Sequence, residues 1–168
     1  GEARLAEALE ALLLSLAVAM VADGEGATKA VRLTVDGARD AEEAERVARA
    51  VADSPLVKTA FYGRDANWGR IVQAAGQALG AAGPRGAEAG ECAGKSVAAA
   101  DVSYEDVAVV RGGRPVPLTE SAQERLADIM AQHEIDLRVS VDGGPASATV
   151  YFSDLTHDYV TLNAEYTT

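Results

Sequence analysis

Cysteine is almost missing from this sequence, Cys92 being the only one in 168 residues. A lone cysteine excludes an internal disulfide framework and a zinc site built from several thiolates, and it fits a reducing, cytoplasmic compartment. Basic residues are also short, 15 Lys and Arg against 26 Asp and Glu, for a formal net charge of −11. An average surface of that sign repels polyanions, so neither nucleic acid nor an anionic membrane is an expected partner. The deficit is uneven: residues 1–28 carry −4, residues 29–70 carry +1 and residues 71–168 carry −8, so the middle stretch alone can welcome an anion. No uninterrupted apolar run is long. Ala11 to Ala22, broken by Ser15, falls short of the ~20 residues that span a bilayer, which predicts no membrane crossing. Glu2, Glu7 and Glu10 stand where a signal peptide would be basic, which argues against one. There is no initiator Met either, and a start at Gly1 reads as a processed or truncated product.

With 48% apolar and 24% charged residues, the chain can bury one sizeable core in one or two small domains. Leu5, Leu9, Leu12, Leu13, Leu16 and Met20 recur at helical spacing opposite Arg4, Glu7 and Glu10, predicting an amphipathic helix that ends at Gly24 and Gly26. Val31, Leu33 and Val35 alternate with polar residues as a half-buried strand. A helix capped by Asp40 runs to about Ala52. Leu56 to Tyr62 is apolar and aromatic enough for a second strand, and Trp68 to about Leu79 is helical. The Ala/Gly-rich 80–96 stretch has no apolar periodicity and reads as a flexible insertion. Val102 to Val110 and Val116 to Leu118 flank Gly112-Gly113 as a hairpin. Thr119 to Gln132 reads as a helix. Ile135 to Val141 and Ala146 to Phe152 flank Asp142-Gly143-Gly144-Pro145 as a second hairpin. The class is α+β, a mixed sheet with packed helices and C-terminal hairpins, divided into a helix and glycine loop over 1–30 and a compact unit over 31–168.

Several chemical motifs fail. Gly24 to Lys29 lacks the glycine before lysine and the strand-loop-helix order of a phosphate loop, and the dinucleotide fingerprint puts Lys29 where its third glycine belongs. His133 and His157 have no partners at metal-ligand spacing, so no metal site is expected, and His133 reads as a surface residue at a helix end. Asp23-Gly24-Glu25-Gly26 is a tight turn that projects one carboxylate, either a solvated helix terminus or a site. Asp65-Ala66-Asn67-Trp68-Gly69-Arg70 concentrates hydrogen-bonding groups, with a structural turn as the safer reading. Lys58 and Arg70 are the candidate anion contacts of the middle stretch, against the alternative of surface ion pairs.

Three segments together resemble the ornithine acetyltransferases, or glutamate N-acetyltransferases, of arginine biosynthesis. They are Asp23 to Lys29, then Ser54-Pro55-Leu56-Val57-Lys58-Thr59-Ala60 running to Asp65 through Arg70, and finally Ser153-Asp154-Leu155-Thr156-His157-Asp158-Tyr159-Val160 to Asn163-Ala164-Glu165-Tyr166-Thr167-Thr168. Ala66 and Ser153 depart from the pattern, where Pro and Cys are expected. The resemblance implies an α/β-roll-like domain in the C-terminal part of a β chain. It also implies a precursor that cleaves itself into α and β, freeing a threonine nucleophile that carries acetyl from N-acetylornithine to glutamate as an ester. That threonine would lie outside this chain, leaving no catalytic residue within it and an inactive fragment on its own. The resemblance implies substrate contacts at Glu25, Asn163 and Thr168, the last anchored by a strand-like Tyr159 to Tyr166. No cofactor is implied, acetyl-CoA staying open as a donor substrate, and the implied assembly is α2β2 with the α chain of the same precursor. Two other readings stay open: a self-processing amidase or aminopeptidase with an N-terminal nucleophile, and a non-catalytic binding module.

Overall fold

Strand β1 (Ala30–Ala38) is an interior strand of a six-stranded sheet, paired along both its edges. It runs parallel to β5 (Glu134–Ser140) and antiparallel to β6 (Ala146–Ser153). Beyond β5 come β2 (Asp101–Tyr104), β3 (Val107–Arg111) and the short β4 (Arg114–Pro115), each antiparallel to its neighbour, in the order β4-β3-β2-β5-β1-β6. The computed structural model describes residues 2–81, 100–141 and 143–165. The fold class is α+β with a mixed sheet, as the sequence predicts.

The period-two pattern of β1 separates two faces. Val31, Leu33 and Val35 are buried together with Leu137 and Val139 of β5, against α2 (Ala41–Ala52), α3 (Pro55–Tyr62) and α4 (Trp68–Ala81). Phe61 of α3 meets Phe152 edge-on, with centroids 5.6 Å apart, and lies 6.0 Å from Tyr104, so α3 is locked to strands on both sides of β1. The opposite face is polar: Arg32 pairs with Asp136, Arg138 with Asp36, and Thr34 shares a 3.2 Å hydrogen bond with Thr149.

Four sequence expectations need correction. Leu56 to Tyr62 is helical: Ser54 caps α3 by accepting from Val57 N, and Pro55 occupies the first turn, where its missing N–H costs nothing. Val102 to Val110 is two strands, because Glu105 adopts φ 48° and reverses the chain between β2 and β3. The turn at Gly112-Gly113 is present, both residues having positive φ. Strands β5 and β6 form no hairpin, because β1 lies between them. Their connection crosses the end of β1, where Val141 N donates to Asp36 O and Gly144 N to Gly37 O, both at 2.8 Å. A bulge with Gly37 at φ 75° opens room there, since a Cβ on Gly37 would lie 3.0 Å from Gly143 N. Finally, Tyr159 belongs to α6 (His157–Ala164) rather than to a strand.

The first helix, α1 (Glu2–Ala22), forms where expected but carries apolar residues on every side. Leu5 is 70% and Met20 77% exposed, and Leu9, Leu12, Leu13, Leu14 and Leu16 are exposed as well. By length and composition Ala3–Ala22 is apolar enough to cross a membrane, which corrects the estimate made from the uninterrupted run alone. Of the 80–96 stretch, Gly80 and Ala81 continue α4, while the rest, Cys92 included, lies outside the described residues. Helix α5 (Glu120–Ala131), capped by Thr119, leads into β5.

Candidate functional site

The loop from Asp23 to Thr28 links α1 to β1 and is held by the chain that leaves β6. Asp154, 4% exposed, makes three contacts to the loop's far end: Oδ1 accepts from Thr28 N at 2.8 Å and Lys29 N at 3.0 Å, and Oδ2 accepts from Thr28 Oγ1 at 2.5 Å. Charge-assisted bonds of this kind are roughly twice as strong as neutral ones, and the carboxylate is fully engaged. Lys29 then turns inward, its Nζ donating to Met130 O and Gln132 O at 2.9 Å each, which satisfies carbonyls at the end of α5. Burial pushes the Lys29 ammonium below its ordinary 10.5; the Arg64 charge adds to that shift and Asp154 opposes it.

The near end of the loop is fixed by Thr156. Its hydroxyl donates to Gly26 O at 2.6 Å and accepts from Tyr159 N at 3.0 Å, so one side chain both holds the loop and caps α6. Gly26 has φ 69°, and a Cβ there would lie 2.6 Å from Tyr159 N; only glycine lets the loop backbone touch the first turn of α6. Glu25 therefore projects beside the helix. Asn163 Nδ2, one further turn along, donates to Glu25 Oε2 at 3.3 Å and to Tyr159 O at 2.8 Å.

Two of the expected site residues, Glu25 and Asn163, thus meet on the surface, and Thr168 lies outside the described residues. A solvent-facing carboxylate next to an amide can receive an ammonium or amide N–H and a carboxylate or carbonyl oxygen from one amino-acid-sized ligand. Along the other side of the loop, Gly24, Ser153, Lys58, Arg49 and Asp53 line a hollow of about 320 Å³. Arg70 is turned away from any such role, donating to Leu56 O and Thr59 Oγ1. Asp65 to Arg70 satisfies itself as a turn, Asn67 bonding Asp65 and accepting from Arg70 N. His133 Nδ1 lies 3.0 Å from Thr28 O, a specific loop contact in place of the helix-end role the sequence suggests. His157 rests edge-on against Tyr62 at 5.4 Å. Asp154 and Thr156 are the residues that sequence reasoning passed over. The signal for Thr156 was there, a threonine followed two residues later by Asp158 at a helix start.

The whole chain, residues 1–168, matches the family model described as ArgJ family. It is 45% identical to the arginine biosynthesis bifunctional protein ArgJ of Geobacter sulfurreducens over all of this chain and 39% of that protein. Against the protein of the same name from Desulfotalea psychrophila it is 42% identical over 95% of this chain and 37% of the relative. The chain therefore spans about two fifths of the length of these curated relatives. A crystal structure of the arginine biosynthesis bifunctional protein from Bacillus halodurans superposes with a TM-score of 0.82 at 32% identity, covering 98% of this chain and 70% of that one.

Proposed function

Since this chain belongs to the ArgJ family, we propose that it supplies the amino-acid-holding part of an acetyltransferase that moves acetyl from N-acetylornithine to glutamate in arginine biosynthesis. The observation that carries this reading is the contact between Glu25 and Asn163, which the fold brings together from opposite ends of the sequence. The Glu25 carboxylate would take the ammonium or amide N–H of the ornithine moiety, and the Asn163 amide would hold a carboxylate or carbonyl oxygen. Thr168 would join them through its hydroxyl or terminal carboxylate.

Acetyl transfer between two amines is easier in two steps through an ester than in one. In this reading a threonine hydroxyl, in the part of the protein beyond this chain, attacks the acetyl carbonyl and ornithine leaves as the amine. The glutamate amine then attacks the ester and restores the hydroxyl. Self-cleavage of the precursor would free that threonine. The same carbonyl chemistry accepts a thioester donor, so acetyl-CoA belongs to the proposal only as a substrate and no cofactor is required. The uncovered apolar surface of α1 supports a further part of the reading: a helix apolar on all sides needs cover, and the remaining three fifths of the relatives' length, the α chain included, is its proposed source. A cytoplasmic α2β2 assembly completes the proposal.

The test is acetyl transfer measured with the full-length protein and with residues 1–168 alone. The full-length protein should form acetylglutamate from acetylornithine while the fragment gives no turnover. Turnover by the fragment, or release of acetate to water in place of transfer to glutamate, would overturn it.

A further inference from the structure

We propose that Thr156 is a positioning residue that makes Glu25 and Asn163 a single substrate-gripping unit. This rests on the reading of Glu25 and Asn163 as substrate contacts. Thr156 is 3% exposed and sits where the loop and α6 meet. A hydroxyl has one proton to donate and lone pairs to accept with, and here both functions are used in different elements: the proton on Gly26 O, the residue after Glu25, and the acceptor on Tyr159 N, in the turn whose carbonyl holds Asn163. Glu25, through its chain neighbour Gly26, is thus one hydrogen bond from this oxygen, and Asn163, through Tyr159, is two. Gly26 adds backbone-to-backbone contact at the same point, so the loop cannot shift along α6 without losing these bonds.

The rigidity matters because Glu25 and Asn163 are both exposed and their mutual bond is long, at 3.3 Å. A contact of that kind cannot orient a carboxylate by itself. The orientation comes from the buried anchor underneath. Asp154 fixes the far end of the loop through Thr28 and Lys29, and the Thr156 bond to Gly26 is the anchor next to Glu25. Removing the Thr156 hydroxyl while keeping its β-branched shape should free Glu25 without opening the core.

The experiment uses the full-length protein with Thr156→Val, Thr156→Ser, Glu25→Gln and the Thr156→Val/Glu25→Gln double variant, measuring KM for acetylornithine, kcat and thermal unfolding. Thr156→Val should raise KM about tenfold, the equivalent of one lost hydrogen bond at the upper end of its usual worth. Thr156→Ser, which keeps both bonds, should restore KM to within about twofold. In the Glu25→Gln background Thr156→Val should change KM by clearly less than in the parent, because only Asn163 is then left to be positioned. Equal effects of Thr156→Val in both backgrounds, or a loss of stability with KM unchanged, would overturn the proposal. Glu25→Gln alone leaving KM unchanged would instead sink the underlying reading of Glu25, so the two failures are separable.

Discussion

Asn163 Nδ2 donates to Glu25 Oε2 across 3.3 Å, joining residues 138 positions apart. Both side chains are exposed, so the bond contributes little to stability, about 0–0.5 kcal/mol. Glu25→Gln keeps the shape and an acceptor oxygen but removes the charge. In the full-length protein it should leave the unfolding midpoint within about 2 °C of the parent. It should also lower kcat/KM for acetylornithine by roughly ten- to a hundredfold, the range for losing a charge-assisted contact. Steady-state kinetics beside a thermal melt checks both halves, and an unchanged kcat/KM would remove Glu25 from the site.

Gly26→Ala should be far more costly than its size suggests. The residue holds φ 69°, where an L side chain is strained, and the added Cβ would sit 2.6 Å from Tyr159 N, a backbone atom that cannot rotate away. The expected loss is about 1–3 kcal/mol of stability, read by urea unfolding, together with weakened substrate binding as α6 is displaced. Gly112→Ala is a useful comparison: it shares the positive φ, at 54°, but meets nothing within 4 Å, so it should cost about 1 kcal/mol and leave binding untouched.

Those two glycines also show how far the sequence could be read. Gly112-Gly113 lies between extended segments, and the local turn rule was enough to find it. The role of Gly26 depends on α6, which arrives from 130 residues away, and no local pattern reports that. The same limit produced the mistaken hairpin: alternation in Ile135 to Val141 and Ala146 to Phe152 correctly marked two strands, but period two says nothing about which strand pairs with which. Leu56 to Tyr62 failed for a different reason. Ser54-Pro55 is a cap and a first turn, and the apolar and aromatic content that favours a strand belongs to an eight-residue helix pinned by Phe61. Glu25 and Asn163 stand out in the sequence only through the family resemblance. Asp154 and Thr156, whose importance is entirely in long-range hydrogen bonds, became visible only in three dimensions.

Asp154→Ala should destabilise the protein by about 1–3 kcal/mol, since it leaves Thr28 N and the buried Lys29 N without their acceptor. Asp154→Asn keeps one oxygen for those amides and should recover part of the loss. Amide hydrogen exchange offers the sharper check: protection should fall at Thr28 and Lys29 in Asp154→Ala while the amides of α2 stay protected. Uniform loss across both regions would mean that Asp154 supports the whole fold and not the loop in particular.

Asp101 gives the acid side of the stability profile a specific contribution. Its Oδ1 accepts from Gly112 N at 2.7 Å and its Oδ2 from Arg111 at 2.9 Å, and these bonds hold the carboxyl below its ordinary 3.8, the backbone bond contributing most. A depressed pKa means that the unfolded chain takes up the proton first as pH falls. The stabilisation is therefore complete above about pH 5, begins to fade as the unfolded-state carboxyl titrates near 3.8, and is gone once the pH drops through the folded-state value. Asp101→Asn has no such titration. The difference in unfolding free energy between the parent and Asp101→Asn should be constant from about pH 5 to pH 7 and shrink progressively below pH 4. Arg111 is exposed and its ion pair is screened, so added salt should reduce the plateau only slightly, with the Gly112 bond keeping the larger share. A difference that stays constant down to pH 2 would show that the turn at Gly112-Gly113 does not depend on the ionised carboxylate.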